Sequence, residues 1–119
     1  MLLNLSNHPS SAWSLEQMSA AIAQFGGVID VPFPNIDPHA SSQAVRNVVE
    51  DYIEIALVNH GEIKHIHIMG EMTFVHRFVK RVMPDGINCY ASTTERTVLE
   101  EADGRKTVQF KFIQFRQYC

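Results

Sequence analysis

Strand-like and helix-like patterns alternate along most of this chain, and that alternation limits its fold more than any other feature. "MLLNLS" reads as a short buried strand, and the loop "NHPSSAW" follows it. In "SLEQMSAAIAQFGG", Leu15, Met18, Ile22 and Phe25 recur at spacings of three and four, Ser14 and Gln17 form a capping box, and Gly26 and Gly27 stop the helix. "VIDVPF" is a second strand. In the turn-rich "PNIDPHASS" Ser41 or Ser42 caps the long helix "QAVRNVVEDYIEIALVNHG", whose inner face carries Val45, Val48, Val49, Tyr52 and Ala56. "IKHIHIMG" leads into the helix "EMTFVHRFVKRVMPDG", where Val75, Phe78, Val79 and Val82 share a face, and "INCYAS" is a fourth strand.

Strand and helix in repeated alternation call for a parallel sheet covered by helices and joined through right-handed crossovers. The expectation is a single α/β domain over residues 1–119, a Rossmann-like three-layer domain with a mainly parallel sheet. Its end departs from that rule. "RTVLEEA" and "KTVQFKFIQFRQY" flank the Asp-Gly signal in "DGR", which predicts a C-terminal antiparallel β-hairpin over residues 96–118. Val108, Phe110 and Phe112 alternate with polar residues until Phe112 and Ile113 break the period, so a bulge or a change of covering is expected there.

Composition narrows the function. The chain is 45% hydrophobic and 19% charged, an ordinary globular balance. A net charge of −3 with 10 Lys plus Arg offers no broad basic field for long nucleic acid, so any anionic ligand must be held locally. Cys89 and Cys119 lack zinc-site spacing and make no disulfide framework, which fits a reducing, cytoplasmic setting. "MLLNLSNHP" has no basic leader region, and no segment has the length of apolar residues needed to span a bilayer.

In an open parallel sheet, ligands bind beyond the carboxyl ends of the strands, where connections leave to opposite faces. That rule selects three loops: "SNHPSS", "GEMTF" and "STTER", the last covering Ser92 to Arg96. If the first and third strands are neighbours, His8, Ser10, Ser11, Gly70 and Thr73 face one crevice. Gly70 then admits a ligand close to the backbone, the amides opening the third helix favour phosphate, and Arg96 supplies a guanidinium fork. Each residue also has a plainer role: Gly70 in turn geometry, Glu71 in a first helical turn, Ser and Thr as caps. Glu71 and Glu95 oppose a plain anion site unless they bind ribose hydroxyls, base amines or an arginine.

His65 and His67 lie on one side of a strand at a spacing that zinc ligands use, but no third ligand is evident, and a hydrogen-bonded interior role is favoured. "HPSS" lacks the strand-turn-helix nucleophile motif of hydrolases. "HRFVKR" reads as a solvated helix face, Cys89 as core and Cys119 as exposed tail.

With "NLSNHPSSAW", "HIMGEMTFVHRFV", "STTER" and "DGRKTVQFKF" together, the chain resembles small single-domain CARF-like proteins encoded with type III CRISPR systems. These are Rossmann-like sensors and ring nucleases that bind cyclic oligoadenylates. The resemblance implies an antiviral-defence protein that binds the ring, cyclic tetra-adenylate foremost, across the two-fold axis of a homodimer, with no cofactor and no metal. Carried over, the site comprises Asn7, His8, Ser10 and Ser11, then Gly70, Glu71, Met72 and Thr73, then Thr93, Thr94 and Arg96. Cleavage in such proteins is attack of a ribose 2′-hydroxyl on the adjacent phosphate. The implied catalytic residues are His8 or Glu71 as base, Ser11 to orient the ribose with Ser10 and Thr73, and Arg96 to stabilise charge. His8 is the better base near neutral pH, because an ordinary imidazole titrates close to it. Such sensors often carry a small-residue turn where this chain has Glu71 and Met72, which leaves the ring size open. Two alternatives stand beside cleavage: a non-catalytic sensor or adaptor, and a domain that binds an unrelated mononucleotide.

Overall fold

A computed structural model of the chain describes residues 1–119. The elements run β1 (Leu2–Ser6), α1 (Leu15–Phe25), β2 (Val28–Asp30), α2 (Ser42–Ile53), β3 (His65–Met69), α3 (Met72–Val82), β4 (Asn88–Glu100) and β5 (Lys106–Gln117). The architecture is α/β, with five strands in one mixed sheet of order β2-β1-β3-β4-β5. β1 pairs with β2 and β3 in parallel, β3 with β4 in parallel, and only β4–β5 is antiparallel.

The strand period places two apolar clusters on opposite faces of this sheet. Leu3, Leu5, Ile66 and Ile68 meet Val45 and Val49 of α2 and Phe74, Phe78 and Val82 of α3. Leu2 and Tyr90 meet Ala21 of α1 with Phe112 and Phe115 of β5. Ser14 Oγ accepts from Gln17 N, Ser41 Oγ accepts from Ala44 N, and Gly26 closes α1 at φ 88°, but the expected capping box is only half formed, because the Gln17 side chain reaches Ser92 instead of Ser14 N. Arg81 ties the two helices of the first cluster together through Glu50.

Three further expectations are corrected. α1 does not bury the face marked by Leu15 and Ile22, which are 85% and 54% exposed, but seats Ala21 on the sheet instead. Trp13, Phe25, Phe112 and Phe115 already fill that side, so the helix approaches through a small residue. The long second helix ends its regular part at Ile53 and passes into a π-turn over Glu54–Val58. "STTER" is not a loop: Ser92 to Arg96 lie inside β4, paired residue by residue with β5. Its threonines suit a strand, and pairing with β5 satisfies the backbone that a loop would have left to solvent.

The hairpin therefore starts earlier than residue 96, with Tyr90 already opposite Gln117. The turn forms at Asp103-Gly104, where Gly104 at φ 86° donates its amide to the Glu101 carbonyl. The anticipated bulge is present. Thr93 pairs with Gln114 and Thr94 with Phe112, leaving Ile113 as the extra residue. Beyond the bulge, residues 94–111 are all exposed, so the ribbon projects as an arm from a molecule 52 Å along its longest axis. Val98, Leu99, Val108 and Phe110 stand on this arm unburied.

Candidate functional site

The chain leaves β1 for α1, on the sheet face carrying Leu2, and leaves β3 for α3, on the face carrying Leu3. Because β1 and β3 are parallel neighbours, with Ser6 opposite Met69, their carboxyl ends lie side by side where the connections diverge to opposite faces, the position at which such sheets take ligands. The loop after β1 and the turn after β3 are joined directly, since Asn7 N donates to the Met69 carbonyl at 3.3 Å.

Polar side chains inside β1 hold that loop. Asn4 and Ser6 interrupt an otherwise apolar strand and are 1% and 5% exposed. Asn4 Nδ2 donates to Asp30 Oδ1 at 2.8 Å and to the His8 carbonyl at 3.0 Å, both pure acceptors, which fixes the amide orientation. Ser6 Oγ donates to Asn4 Oδ1 at 2.8 Å. Asp30, at the end of β2, accepts Ser10 N at 3.0 Å and Ser10 Oγ at 2.6 Å. Burial tends to raise the Asp30 pKa, but the hydrogen bonds from Ser10 and Asn4 together hold it below the ordinary value. Trp13 Nε1 also donates to the His8 carbonyl, at 3.2 Å. The backbone of His8 is thus held while its imidazole stays exposed.

Behind the loop, His67 Nδ1 lies 2.8 Å from Asn4 Oδ1. That oxygen only accepts, so Nδ1 carries the proton, and Nε2 is left to accept from Ser92 Oγ at 2.7 Å. Gln17 Nε2 donates to the same hydroxyl at 2.9 Å. Burial, aided by the nearby His8, lowers the His67 pKa from 6.5 to about 4. A neutral imidazole therefore orients Ser92. His65 is likewise engaged, its Nδ1 lying 3.0 Å from the Tyr90 hydroxyl. The two histidines have become interior hydrogen-bonding groups.

The turn after β3 has its own logic. A Cβ at Gly70 would collide with the ring of Phe33, which packs edge-on against Phe74 at 5.0 Å between centroids. Glycine here makes room for an aromatic ring of the protein itself. Gly70→Ala is expected to cost about 1–3 kcal/mol by overpacking, read from urea unfolding; unchanged stability would show that Phe33 moves freely. Glu71 is the cap of α3. Its carboxylate accepts Thr73 N at 3.1 Å, Phe74 N at 2.8 Å and the Thr73 hydroxyl at 2.6 Å. The Thr73 hydroxyl bond is the main cause of a lowered Glu71 pKa, with the two amides adding to it. Thr73 and the first amides of the helix thus already serve a carboxylate, a state opposite to that of a raised-pKa base.

The remaining candidates are dispersed. Ser11 is exposed beside Ser10, and Met72 is 83% exposed. Met72 lines a cavity of about 620 Å³ with Met69, Gly70, Val75, Val79 and Tyr118. Thr93 Oγ1 donates to the Gln114 carbonyl at 3.3 Å. Thr94 and Arg96 lie on the exposed arm; Ser92 N reaches Met69 Sδ at 3.2 Å, so Arg96, four residues on, stands roughly 13 Å past the end of β3. Asn4 and Asp30 escaped the sequence reading, while His67 takes the hydrogen-bonded interior role expected of it and Ser92 serves as its partner rather than as a ligand group. For Asn4 the one signal was the polar break that it and Ser6 make in a buried run.

A family model described as "Uncharacterized protein MJ1673 family" matches residues 1–116. No curated protein and no solved structure matches the chain.

Proposed function

The chain belongs to the MJ1673 family, and for this member of it we propose a CRISPR-associated cyclic oligoadenylate-binding protein that cleaves the ring without metal. The supporting observation is the Asn7 to Met69 hydrogen bond, which joins the start of "NHPSS" to the strand end just before "GEMTF". Helices packed on both faces of a sheet of order β2-β1-β3-β4-β5 fit the Rossmann-like, three-layer arrangement whose ligands sit at this position.

In this reading Ser10, held by Asp30, and Ser11 orient the ribose, and an adenine lies against Met69, Met72 and Val75. The 2′-hydroxyl attacks its own 3′-phosphodiester while His8 takes the proton. The 5′-oxygen of the next residue leaves and is protonated, giving a linear adenylate with a 2′,3′-cyclic phosphate. His8 suits the base better than Glu71, whose carboxylate is spent on Thr73 and Phe74. Arg96 and the threonines of the arm act from a homodimer, in which the exposed apolar residues of one arm pack on a second copy and carry Arg96 toward its crevice. A cytoplasmic role in ending or tuning an antiviral signal follows.

Incubation with cyclic tetra-adenylate in EDTA, followed by chromatography, is expected to yield linear adenylates, and light scattering a dimer. Intact ring throughout would remove the enzymatic part and leave a sensor, the second reading, which the self-capped Glu71 favours.

A further inference from the structure

Between α2 and α3, on the sheet face away from α1, lies a second cavity of about 560 Å³. Arg46 projects from α2, and Arg77 and Lys80 from α3, where positions 73, 77 and 80 share one helical face. None of these three cations forms an ion pair, although Arg81 beside them is paired with both Glu50 and Asp85. Arg77 Nε is buried and has no hydrogen-bond partner. Buried guanidinium donors are ordinarily satisfied, and an orphaned one is costly. Like charges are gathered around a hollow.

Two carboxylates also line the cavity, and both are committed to their own backbone. Asp37 accepts His39 N at 2.8 Å, and Glu71 accepts the first amides of α3. Three cations against two carboxylates leave a net formal charge of one positive. That balance suits one phosphate group better than a polyphosphate, whose further charges would meet Asp37 and Glu71. The volume lies within the range of sites for whole small molecules and is far larger than a bare phosphate needs. Ile36, Ala40 and Val45 supply an apolar wall, and Ser42 a hydroxyl.

We propose that this cavity is a binding site for a phosphomonoester of about mononucleotide size, held by Arg46, Arg77 and Lys80. It is distinct from the ring-binding crevice, which it meets at Glu71 and Thr73, while His76 and Lys80 also line the cavity assigned to the adenine, so Arg46 and Arg77 are the cations that mark it alone. Arg77 supplies the forked donor, Arg46 and Lys80 add flexible charge from the two sides, and the apolar wall takes the body of the ligand.

Isothermal titration of the full chain with AMP, in low-salt buffer without phosphate, tests this. Saturable binding is expected for AMP, weaker binding for inorganic phosphate, and none for adenosine. Arg46→Ala and Lys80→Ala remove exposed side chains, so the fold is kept, and each is expected to weaken AMP binding roughly tenfold or more. Arg77→Lys keeps the charge, loses the fork and weakens binding similarly, with circular dichroism confirming the fold. His8→Ala leaves AMP affinity unchanged, and Arg46→Ala leaves cleavage of cyclic tetra-adenylate unchanged, so either site can fail alone. No heat with AMP on folded protein, affinity indifferent to Arg46→Ala and Lys80→Ala, or loss of AMP binding in His8→Ala would each overturn the proposal.

Discussion

Lowering the pH from 6.5 to 4 is expected to remove about 3 kcal/mol of folding stability through His67 alone. Its imidazole is buried, donates to Asn4 and accepts from Ser92, so the folded protein keeps it neutral well below the pH at which the unfolded chain takes up a proton. Between those two values the unfolded state binds more protons, and stability therefore falls as pH falls. Asp30 and Glu71 act in a separate window. Their folded pKa values lie below the reference values of 3.8 and 4.5, so their contribution is complete above that range and is lost only in stronger acid. Urea unfolding of the protein and of His67→Gln across pH 4 to 7 separates the two. The variant should be less stable at pH 7 and show a much flatter dependence; parallel curves would mean that His67 is not a neutral interior group.

Replacing His8 by Ala should lower ring cleavage by about 10²–10⁴-fold, the usual contribution of a positioned general base. The substitution is unusually clean, because it is the carbonyl of His8, not its ring, that Asn4 and Trp13 hold. The melting temperature should therefore stay within about a degree or two of the unaltered protein, since an exposed side chain is removed whose one interior effect is weak charge repulsion on His67. Cleavage that persists at close to the original rate would move the base elsewhere. Glu71, the other base considered, would then be the next residue to replace.

Much of the architecture was legible because the strands are short apolar runs separated by well-marked caps. Ser14, Ser41 and Gly26 cap where their chemistry demands, and the Phe112-Ile113 break in period became the bulge opposite Thr93 and Thr94. Position in space was less legible than element type. Leu15 and Ile22 carry the right spacing for a buried face, but aromatic residues remote in sequence, Phe112 and Phe115, occupy the volume they would need. "STTER" looked like a loop because it is polar, whereas strand pairing depends on backbone partners that only the hairpin register reveals. At the site, Gly70 and Glu71 were visible as unusual residues for a strand-to-helix junction, but their partners were not. Phe33 fills the space beside Gly70, and Thr73 and Phe74 satisfy Glu71. The Asn4, Asp30, His67 and Ser92 network joins four separate strands, so no local pattern could announce it.

The central claim is that the loop after β1 and the turn after β3 form one site for an adenylate ring. Titrating ¹⁵N-labelled protein with cyclic tetra-adenylate and following its amide resonances tests that directly. Amides of Asn7, His8, Ser10 and Ser11 and of Gly70 to Thr73 should shift together, with a common saturation point. Shifts confined to Arg46, Arg77 and Lys80, or none at saturating ring, would contradict it.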